Sequence, residues 1–346
     1  MTTLQKLLGI ELPIIQAPMA GVQNSALAIA VSNAGGLGSL PCAMLDSDVM
    51  SKELAAITEQ TTKPYNANFF CHRAPTPDPI REAQWKSVLS PYYHEFDIDP
   101  NIIPNISERQ PFSSKTADIL VKFKPPIVSF HFGLPSIKLV KRVQAWGSKI
   151  LATATTVDEA LWLEHHGVDA IIAQGLEAGG HRGIFLSDDL STQVGTFALL
   201  PQIVRSVNVP VIAAGGIADA KGVRSAIGLG AAGVQIGTAY LLCPEVTTSG
   251  VHRTALKSKS AGHTAITNLF SGRPARSIVN RIIKELGPIN PHTPSFPSAS
   301  AAITPLREKT ESQGNRDFSP LWAGQNTTGC REVPAASITR DLAADL

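Results

Sequence analysis

Short apolar runs alternate with helix-length segments along the first two-thirds of the chain. Eight of these runs are apolar across their whole length rather than at alternate residues, which is typical of strands buried on both faces of a parallel sheet. The predicted strands cover residues 13–19, 36–41, 65–70, 127–133, 149–155, 170–175, 210–216 and 233–240. Eight strands linked by helical crossovers favour an α/β fold of the closed (β/α)8, or TIM-barrel, type over an open doubly wound sheet.

Capping residues support the helices between these strands. Asn24 is suited to begin the helix after the first strand, and Asp219 the helix between the seventh and eighth strands. Thr156 and Glu159 have the spacing of a capping box, in which each side chain bonds the backbone of the other residue. A further helix is predicted over residues 48–58.

Two stretches interrupt the alternation. Residues 71–116 are rich in proline and aromatic residues and form an insertion before the helix that should follow strand three. After the eighth strand the barrel pattern stops, and helices are expected over 276–286 and 306–313. We therefore predict a barrel over residues 1–244, and a mainly helical cap or second domain with a C-terminal tail over 245–346.

The composition restricts the partners of the protein. A hydrophobic fraction of 43% with 17% charged residues fits a globular enzyme. The net charge of +2 is spread along the chain, which gives no electrostatic reason to expect nucleic acid or a membrane surface as partner. No secretory signal is evident, and the four cysteines lack metal-site spacing. We expect a cytoplasmic protein without a bound metal, and keep a homodimer as the candidate assembly.

Three predicted strands end in glycine-rich loops. These ends read QGLEAGGHRG (174–183), AAGGI (213–217) and QIGT (235–238). Glycine lets backbone N–H groups approach a phosphate closely, and the loops after the last two strands are the usual phosphate site of such barrels. A tight turn is the plain alternative for one glycine pair. Two adjacent glycine-rich ends favour a phosphate at Gly216 and residues 235–238.

Polar side chains lie at the same strand ends. His181 follows a flexible glycine pair, which suits a hydrogen-bond donor or base above a bound ring. His131 ends the fourth strand and points either into the barrel mouth or into packing. Asn68 and Gln174 carry amides that can bond the edge of a heterocycle, or can be satisfied within the core.

Several motifs together resemble one enzyme family. QAPMAG (16–21), SNAGGLGSL (32–40), PVIAAGGI (210–217), GVQIGTAYL (233–241) and the QGLEAGGHRG loop resemble the nitronate monooxygenases, formerly called 2-nitropropane dioxygenases. SGRPAR (271–276) and LWAGQ (321–325) are similar to C-terminal segments of that family. The resemblance covers essentially the whole chain.

The resemblance implies a TIM barrel with non-covalent FMN and a helical second domain. It implies oxidation of alkyl nitronates, such as propionate 3-nitronate, by O2 to carbonyl compounds and nitrite, through one-electron transfer to the flavin. His181 matches the catalytic histidine, which would become a base if neutral nitroalkanes were also substrates. His131 and Ser271 are candidate substrate-site residues. From the resemblance and the glycine loops, the expected cofactor-binding residues are Gln16, Ala17, Pro18, Met19, Asn68, Gln174, Gly179, Gly180, Gly215, Gly216, Gln235, Ile236, Gly237, Thr238 and Gln325.

Other functions fit parts of the same pattern. An NAD(P)H-dependent FMN reductase, of the enoyl-acyl-carrier-protein reductase or quinone reductase type, shares the AGGH and AAGGI motifs, whereas SGRPAR and LWAGQ favour the monooxygenase. An inosine-phosphate dehydrogenase-like enzyme would need a loop cysteine that the sequence lacks near these strand ends. A non-catalytic barrel that binds a phosphorylated ligand is disfavoured by the intact His181 motif.

Overall fold

Eight parallel strands close into a barrel in the computed structural model, which describes residues 2–100, 103 and 109–346. In chain order the strands are β1 (Ile14–Gln16), β2 (Gly38–Pro41), β3 (Tyr65–Phe70), β4 (Ile127–His131), β5 (Lys149–Ala154), β6 (Ala170–Gln174), β7 (Gly180–His181), β8 (Val211–Ala214), β9 (Gly233–Ile236), β10 (Thr264–Thr267) and β11 (Ala275–Ile278). The barrel runs β1-β9-β8-β6-β5-β4-β3-β2, and a parallel bridge between Ile15 and Leu37 joins its two ends. The predicted barrel is confirmed.

Helices surround this barrel and build the region above it. They are α1 (Thr3–Leu8), α2 (Ser25–Asn33), α3 (Ser47–Gln60), α4 (Pro79–Glu95), α5 (Ser114–Phe123), α6 (Ile137–Gln144), α7 (Val157–His165), α8 (Thr196–Ser206), α9 (Ala220–Gly228), α10 (Gly250–Leu256), α11 (Arg281–Leu286), α12 (Ala299–Ser312) and α13 (Ala335–Leu342). The predicted caps are confirmed for Asn24, whose side chain accepts from Ala26 N, and for Asp219, which accepts from Gly222 N.

The predicted capping box is only half correct. Thr156 Oγ1 accepts from Glu159 N at 3.2 Å, as expected. The Glu159 carboxylate, however, accepts from Thr155 N at 2.7 Å and from Phe185 N at 2.6 Å. Because Glu159 is 1% exposed, its charge needs strong donors, and these come from the loop after β7 as well as from its own helix start.

Apolar side chains of α1 close one end of the barrel. Leu4 and Leu8 of this helix pack with Ile15 and Ile172 from the strands in one buried cluster. With the amino-terminal ends of the strands covered, the carboxyl ends remain available for a site, as is general in this fold.

The region above the barrel is built from two distant parts of the chain. Helix α4, from the 71–116 stretch, packs against α12, and the Trp85 and Tyr93 side chains donate hydrogen bonds to Ala299 O and Ala302 O. These rings share one apolar core with Leu306. The division into domains at residue 244 stays a prediction.

Strand β11 corrects the sequence analysis. Helix was predicted over 276–286, but residues 275–278 are a strand, and helix α11 begins only at Arg281. The strand forms because β10 and β7 pair with it on either side in an antiparallel sheet. Helix α12 also begins earlier than predicted, at Ala299.

The chain returns to the barrel after this upper region. Helix α13 packs against α2 and α9, and Ala335, Ile338 and Leu342 are buried in the layer between strands and helices. Tyr240 and Thr339 share a hydrogen bond of 3.0 Å between their hydroxyl oxygens. Throughout the described part of the chain, helices lack the combination of length and apolar character that a membrane span requires.

Candidate active site

A cavity of about 270 Å³ lies at the carboxyl ends of the barrel strands and beneath the upper region. Barrel residues such as Asn68 and Gln235 line it together with Phe270 and Trp322 from the upper region. Arg109 and Arg307 are its charged lining residues among those that the structure describes, and that lining includes no Asp or Glu. The cavity is therefore electropositive.

Most of the predicted site residues meet at this cavity. Those that line it are Ala17, Pro18, Met19, Asn68, His131, Gln174, Gly179, Gly180, His181, Gly215, Gly216, Gln235, Ile236, Gly237, Thr238 and Ser271. These residues come from separate strands, and the barrel places them together because all parallel strands end at the same rim.

Two predicted residues do not line the cavity. Gln16 is fully buried; its Nε2 donates to Gln23 Oε1 at 2.7 Å and its Oε1 accepts from Ser39 N at 2.9 Å. Its amide is thus a satisfied core group. Gln325 is exposed, and its backbone N–H donates to Glu177 O at 3.0 Å.

His181 is fixed by the small antiparallel sheet. Strand β7 pairs with β11, which sets His181 opposite Ala275, and His181 Nε2 lies 2.8 Å from Ser271 Oγ. Burial lowers the pKa of His181 well below 6.5, and the positive charges of Arg109 and other nearby basic groups lower it further. The imidazole is therefore neutral at pH 7.

His131 both lines the cavity and packs. Its Nδ1 is 3.1 Å from Thr153 Oγ1, and its Nε2 is 3.2 Å from the carbonyl oxygen of His181. Burial lowers its pKa to about 3, so the ring is neutral and donates to that carbonyl through Nε2. His131 therefore both faces the barrel mouth and takes part in packing, the two alternatives that the sequence left open.

The loop from β6 to β7 is held by side-chain donors. Gln174 Nε2 donates to His181 O at 3.0 Å, and Gln174 Oε1 accepts from Gly183 N at 2.8 Å. Arg182 is fully buried, and its guanidinium donates to Gly175 O, Gln174 O and Gln193 Oε1 at 2.7–3.0 Å. Arg182 was not predicted as a site residue, and its one signal in the sequence is a charged residue within a glycine-rich strand end.

Backbone conformation requires glycine at two positions of the strand ends, and close backbone approach requires it at a third. Gly215 and Gly216 have φ values of +114° and +76°, a region that side chains other than glycine disfavour. A Cβ on Gly179 would lie 2.5 Å from Gly324 N, so the backbone from the LWAGQ segment could not stay in place. These strand ends therefore expose backbone to the cavity.

Of two amide side chains at the rim, one has a hydrogen-bond partner in the protein and the other has an acceptor without one. Asn68 Nδ2 donates to Ser129 Oγ at 2.9 Å. Gln235 Oε1 is buried and has no hydrogen-bond partner among the described residues. A buried acceptor without a donor is costly, and a ligand that donates to it would remove that cost.

Other lining residues escaped the sequence analysis. His252 has an unpartnered Nε2 among the described residues, and burial lowers its pKa to about 4. Arg307 pairs with Glu311 at 3.0 Å. Both face the cavity only because the upper region folds over the barrel, and nothing in their local sequence signals this.

Comparisons with known proteins point to one family. The family model described as nitronate monooxygenase matches residues 1–345. A curated nitronate monooxygenase from Pseudomonas aeruginosa is 43% identical, over 99% of this chain and 98% of its own length. A solved nitroalkane oxidase from Streptomyces ansochromogenes is 36% identical with a TM-score of 0.90, covering 99% of this chain and 97% of that one. FabK from Thermotoga maritima is 26% identical with a TM-score of 0.74, over 99% and 94% of the two chains.

Proposed function

Because the chain belongs to the nitronate monooxygenase family, a family of flavin-dependent enzymes, we propose that it oxidises alkyl nitronates with O2 to carbonyl compounds and nitrite, using FMN. The observation that carries the proposal is the meeting of His181 with glycine-rich strand ends in one electropositive cavity. Each of these features suits a flavin or an anionic substrate.

The residues at the barrel rim fit FMN. Gly215, Gly216 and Gly237 would let backbone N–H groups approach the phosphate without a Cβ in the way. The unpartnered Gln235 Oε1 would accept from an N–H or O–H of the cofactor. When bound, FMN supplies the acceptor for one electron from the nitronate, and the protein supplies position and electrostatics.

The charge of the cavity favours the anion. A nitronate is already deprotonated at carbon, so its oxidation requires no base. Arg109 and Arg307 line the cavity, and its described lining contains no Asp or Glu, although Arg307 is paired with Glu311 behind it. The remaining positive field attracts a negative ligand. Because His181 is neutral, it adds no charge to this field.

Ser271 sets the proton position on His181. Ser271 Oγ accepts from Arg273 N at 3.4 Å and lies 2.8 Å from His181 Nε2, closer than its other acceptor, Arg273 O, at 3.3 Å. The bond to His181 Nε2 can run in either direction, and we propose that the hydroxyl donates, so that the neutral ring carries its own proton on Nδ1. Nδ1–H, which has no partner among the described residues, would donate to the nitronate oxygens.

The test is a pair of anaerobic mixing experiments on the purified flavoprotein. We expect an alkyl nitronate to change the visible flavin spectrum, with nitrite released when air is admitted. NADH should leave the spectrum unchanged. Reduction by NADH with no response to nitronate would instead establish a reductase, the alternative that the AGGH and AAGGI motifs leave open. A colourless protein inert to both reagents would refute either enzyme.

A further inference from the structure

A short irregular segment near the C-terminus crosses the strand ends that we assign to the cofactor phosphate. Residues 324–330, here called the strap, bond the loops that follow β6, β8 and β9. Gly324 and Asn326 of the strap line the cavity. We propose that the strap completes the phosphate site, and that Asn326 is a positioning residue for the phosphate of FMN. This inference rests on the proposed use of FMN.

The strap donates hydrogen bonds to acceptors of the two phosphate-site turns. Asn326 Nδ2 donates to Gly216 O at 3.0 Å, and Gly324 N donates to Thr238 Oγ1 at 2.9 Å. A phosphate accepts hydrogen bonds, so an oxygen lone pair that pointed at it would repel it. Because both acceptors are occupied by the strap, the same turns can present their donors to the cavity.

Thr238 keeps one donor for a ligand. Its hydroxyl oxygen accepts from the strap, and none of the described residues accepts its proton. The carbonyl oxygen of Thr238 is also occupied, because Cys330 Sγ lies 3.0 Å from it. Burial raises the pKa of the Cys330 thiol to about 12, so the sulfur is protonated at pH 7 and acts as the donor.

Asn326 fixes the peptide group between Gly216 and Ile217. A trans peptide is planar, and its C=O and N–H point in opposite directions. Because Asn326 holds Gly216 O, the N–H of Ile217 points away from the strap. Neither that N–H nor the N–H of Gly216 has a hydrogen-bond partner among the described residues. Two available N–H groups in succession are suited to an anion.

The position of the strap depends on these bonds, because a cavity lies behind part of it. This second cavity, of about 420 Å³, separates Thr328 and Gly329 from α13. Asn326 also shapes the strap itself, since its Oδ1 accepts from Thr328 N at 3.2 Å and from Thr328 Oγ1 at 2.7 Å. One end of the Asn326 amide thus holds the strap together, and the other end joins it to Gly216.

The test measures the preference of the protein for FMN over riboflavin, which lacks the phosphate. The holoenzyme is equilibrated with a known mixture of the two flavins, and the ratio of bound flavins is determined. Asn326→Asp keeps the size of the side chain but replaces the donor to Gly216 O with a carboxylate oxygen. We expect it to lower the preference for FMN at least about 10-fold. Asn208→Asp, the same change of charge at an exposed asparagine, should leave the preference unchanged.

Further variants guard against a folding artefact. Asn326→Ala removes the donor without adding charge, and we expect the preference to fall about 3- to 10-fold. Cys330→Ala should lower the preference less, and Cys330→Ser, which keeps a donor, should recover it. Thermal unfolding of each variant reports whether the fold is retained. An unchanged preference in both Asn326 variants, including an equal loss of both flavins, would overturn the proposal.

Flavin binding separates this inference from the proposed oxidation of nitronates. A wild-type protein that prefers FMN, and loses the preference in Asn326→Asp, supports the strap even if it oxidises no nitronate, and in that case the proposed activity fails. A wild type that binds FMN and riboflavin equally refutes the strap whatever its activity. A protein that binds neither flavin refutes both proposals.

Discussion

The two walls of the cavity are constructed differently. On the barrel side, the loop from Gln174 to Gly183 has its carbonyl groups satisfied by Arg182, by Gln174 itself and by His131. On the upper side, the guanidinium of Arg109 and the Nε2 of His252 have no hydrogen-bond partner among the described residues. The loop that carries His181 is satisfied without a ligand, whereas the upper wall, like Gln235 Oε1 at the barrel rim, holds polar groups that a ligand would satisfy.

This difference separates two tasks. A loop whose hydrogen bonds are internally satisfied holds His181 in one geometry, as a preorganised catalytic group requires. A wall with unpartnered cationic and imidazole groups selects among ligands through the charges that they bring. We therefore expect substitutions on the barrel side to lower turnover or stability, and substitutions on the upper side to change substrate preference.

The largest effect is expected at His181. We expect His181→Ala to retain FMN and to lower nitronate turnover about 10²- to 10⁴-fold, since a positioned hydrogen-bond donor is lost. Nitrite release and the flavin spectrum measure the two properties. His263→Ala, at an exposed histidine, is the matched control. Unchanged turnover in His181→Ala would remove this residue from the mechanism.

The next effect tests the completeness of the barrel wall. Arg182→Met keeps the length of the side chain but leaves Gly175 O, Gln174 O and Gln193 Oε1 without a donor. We expect the free energy of unfolding to fall by about 3 kcal/mol or more, from the loss of several buried hydrogen bonds. Denaturant unfolding measures it, with the exposed Arg205→Met as control. If the free energy of unfolding fell no further than in the control, the loop would not depend on the hydrogen bonds from Arg182.

The pH dependence of stability reports on the buried histidines. Burial lowers the pKa of His131 to about 3 and that of His252 to about 4, against about 6.5 in the unfolded chain. Below pH 6.5 the unfolded chain therefore binds protons that the folded protein does not. The free energy of unfolding then decreases as the pH is lowered. Each group contributes a slope of up to about 1.4 kcal/mol per pH unit and none above pH 6.5.

His252 isolates this effect on the upper wall. In His252→Gln the loss of stability between pH 6.5 and pH 5 should be smaller than in the wild type by about 2 kcal/mol at most. Unfolding curves at several pH values measure the slope. An unchanged slope would show that His252 is protonated equally in both states.

The smallest effect is expected from the hydrogen bond between Ser271 and His181, which joins the upper wall to the barrel wall. Ser271→Ala removes the hydroxyl that shares a hydrogen bond with His181 Nε2, and we expect kcat to fall about tenfold, the worth of one hydrogen bond. Ser271→Thr, which keeps the hydroxyl, should recover most of the loss. The pH profile of kcat distinguishes this from a packing defect, because only a change in the His181 proton would move it.

The sequence predicts the barrel side well and the upper side poorly. Strand β6 begins at Ala170, where its predicted run begins, and ends one residue before that run does, because a strand buried on both faces leaves a nearly continuous apolar signal. The glycine-rich ends marked most of the cavity rim in the same way. These features depend on local sequence.

The remaining features depend on contacts between distant segments. Residues 276–278 form a strand because β10 pairs with all three and β7, from the barrel loop, pairs with Arg276; a local pattern cannot show these partners. Gln16 was expected at the cofactor, but Gln23 and Ser39 bond its side chain inside the core. Arg109 and Arg307 approach the same cavity from separate parts of the chain, so neither was predicted.

The return of α13 to the barrel affects how the protein is made. On the ribosome, a nascent chain that has reached Ile236 contains all eight barrel strands but lacks the helix that packs between α2 and α9. The apolar surface that Ile338 and Leu342 cover stays open to solvent while the whole upper region is translated. A chain arrested before α13 would therefore expose an apolar groove of the kind that chaperones bind.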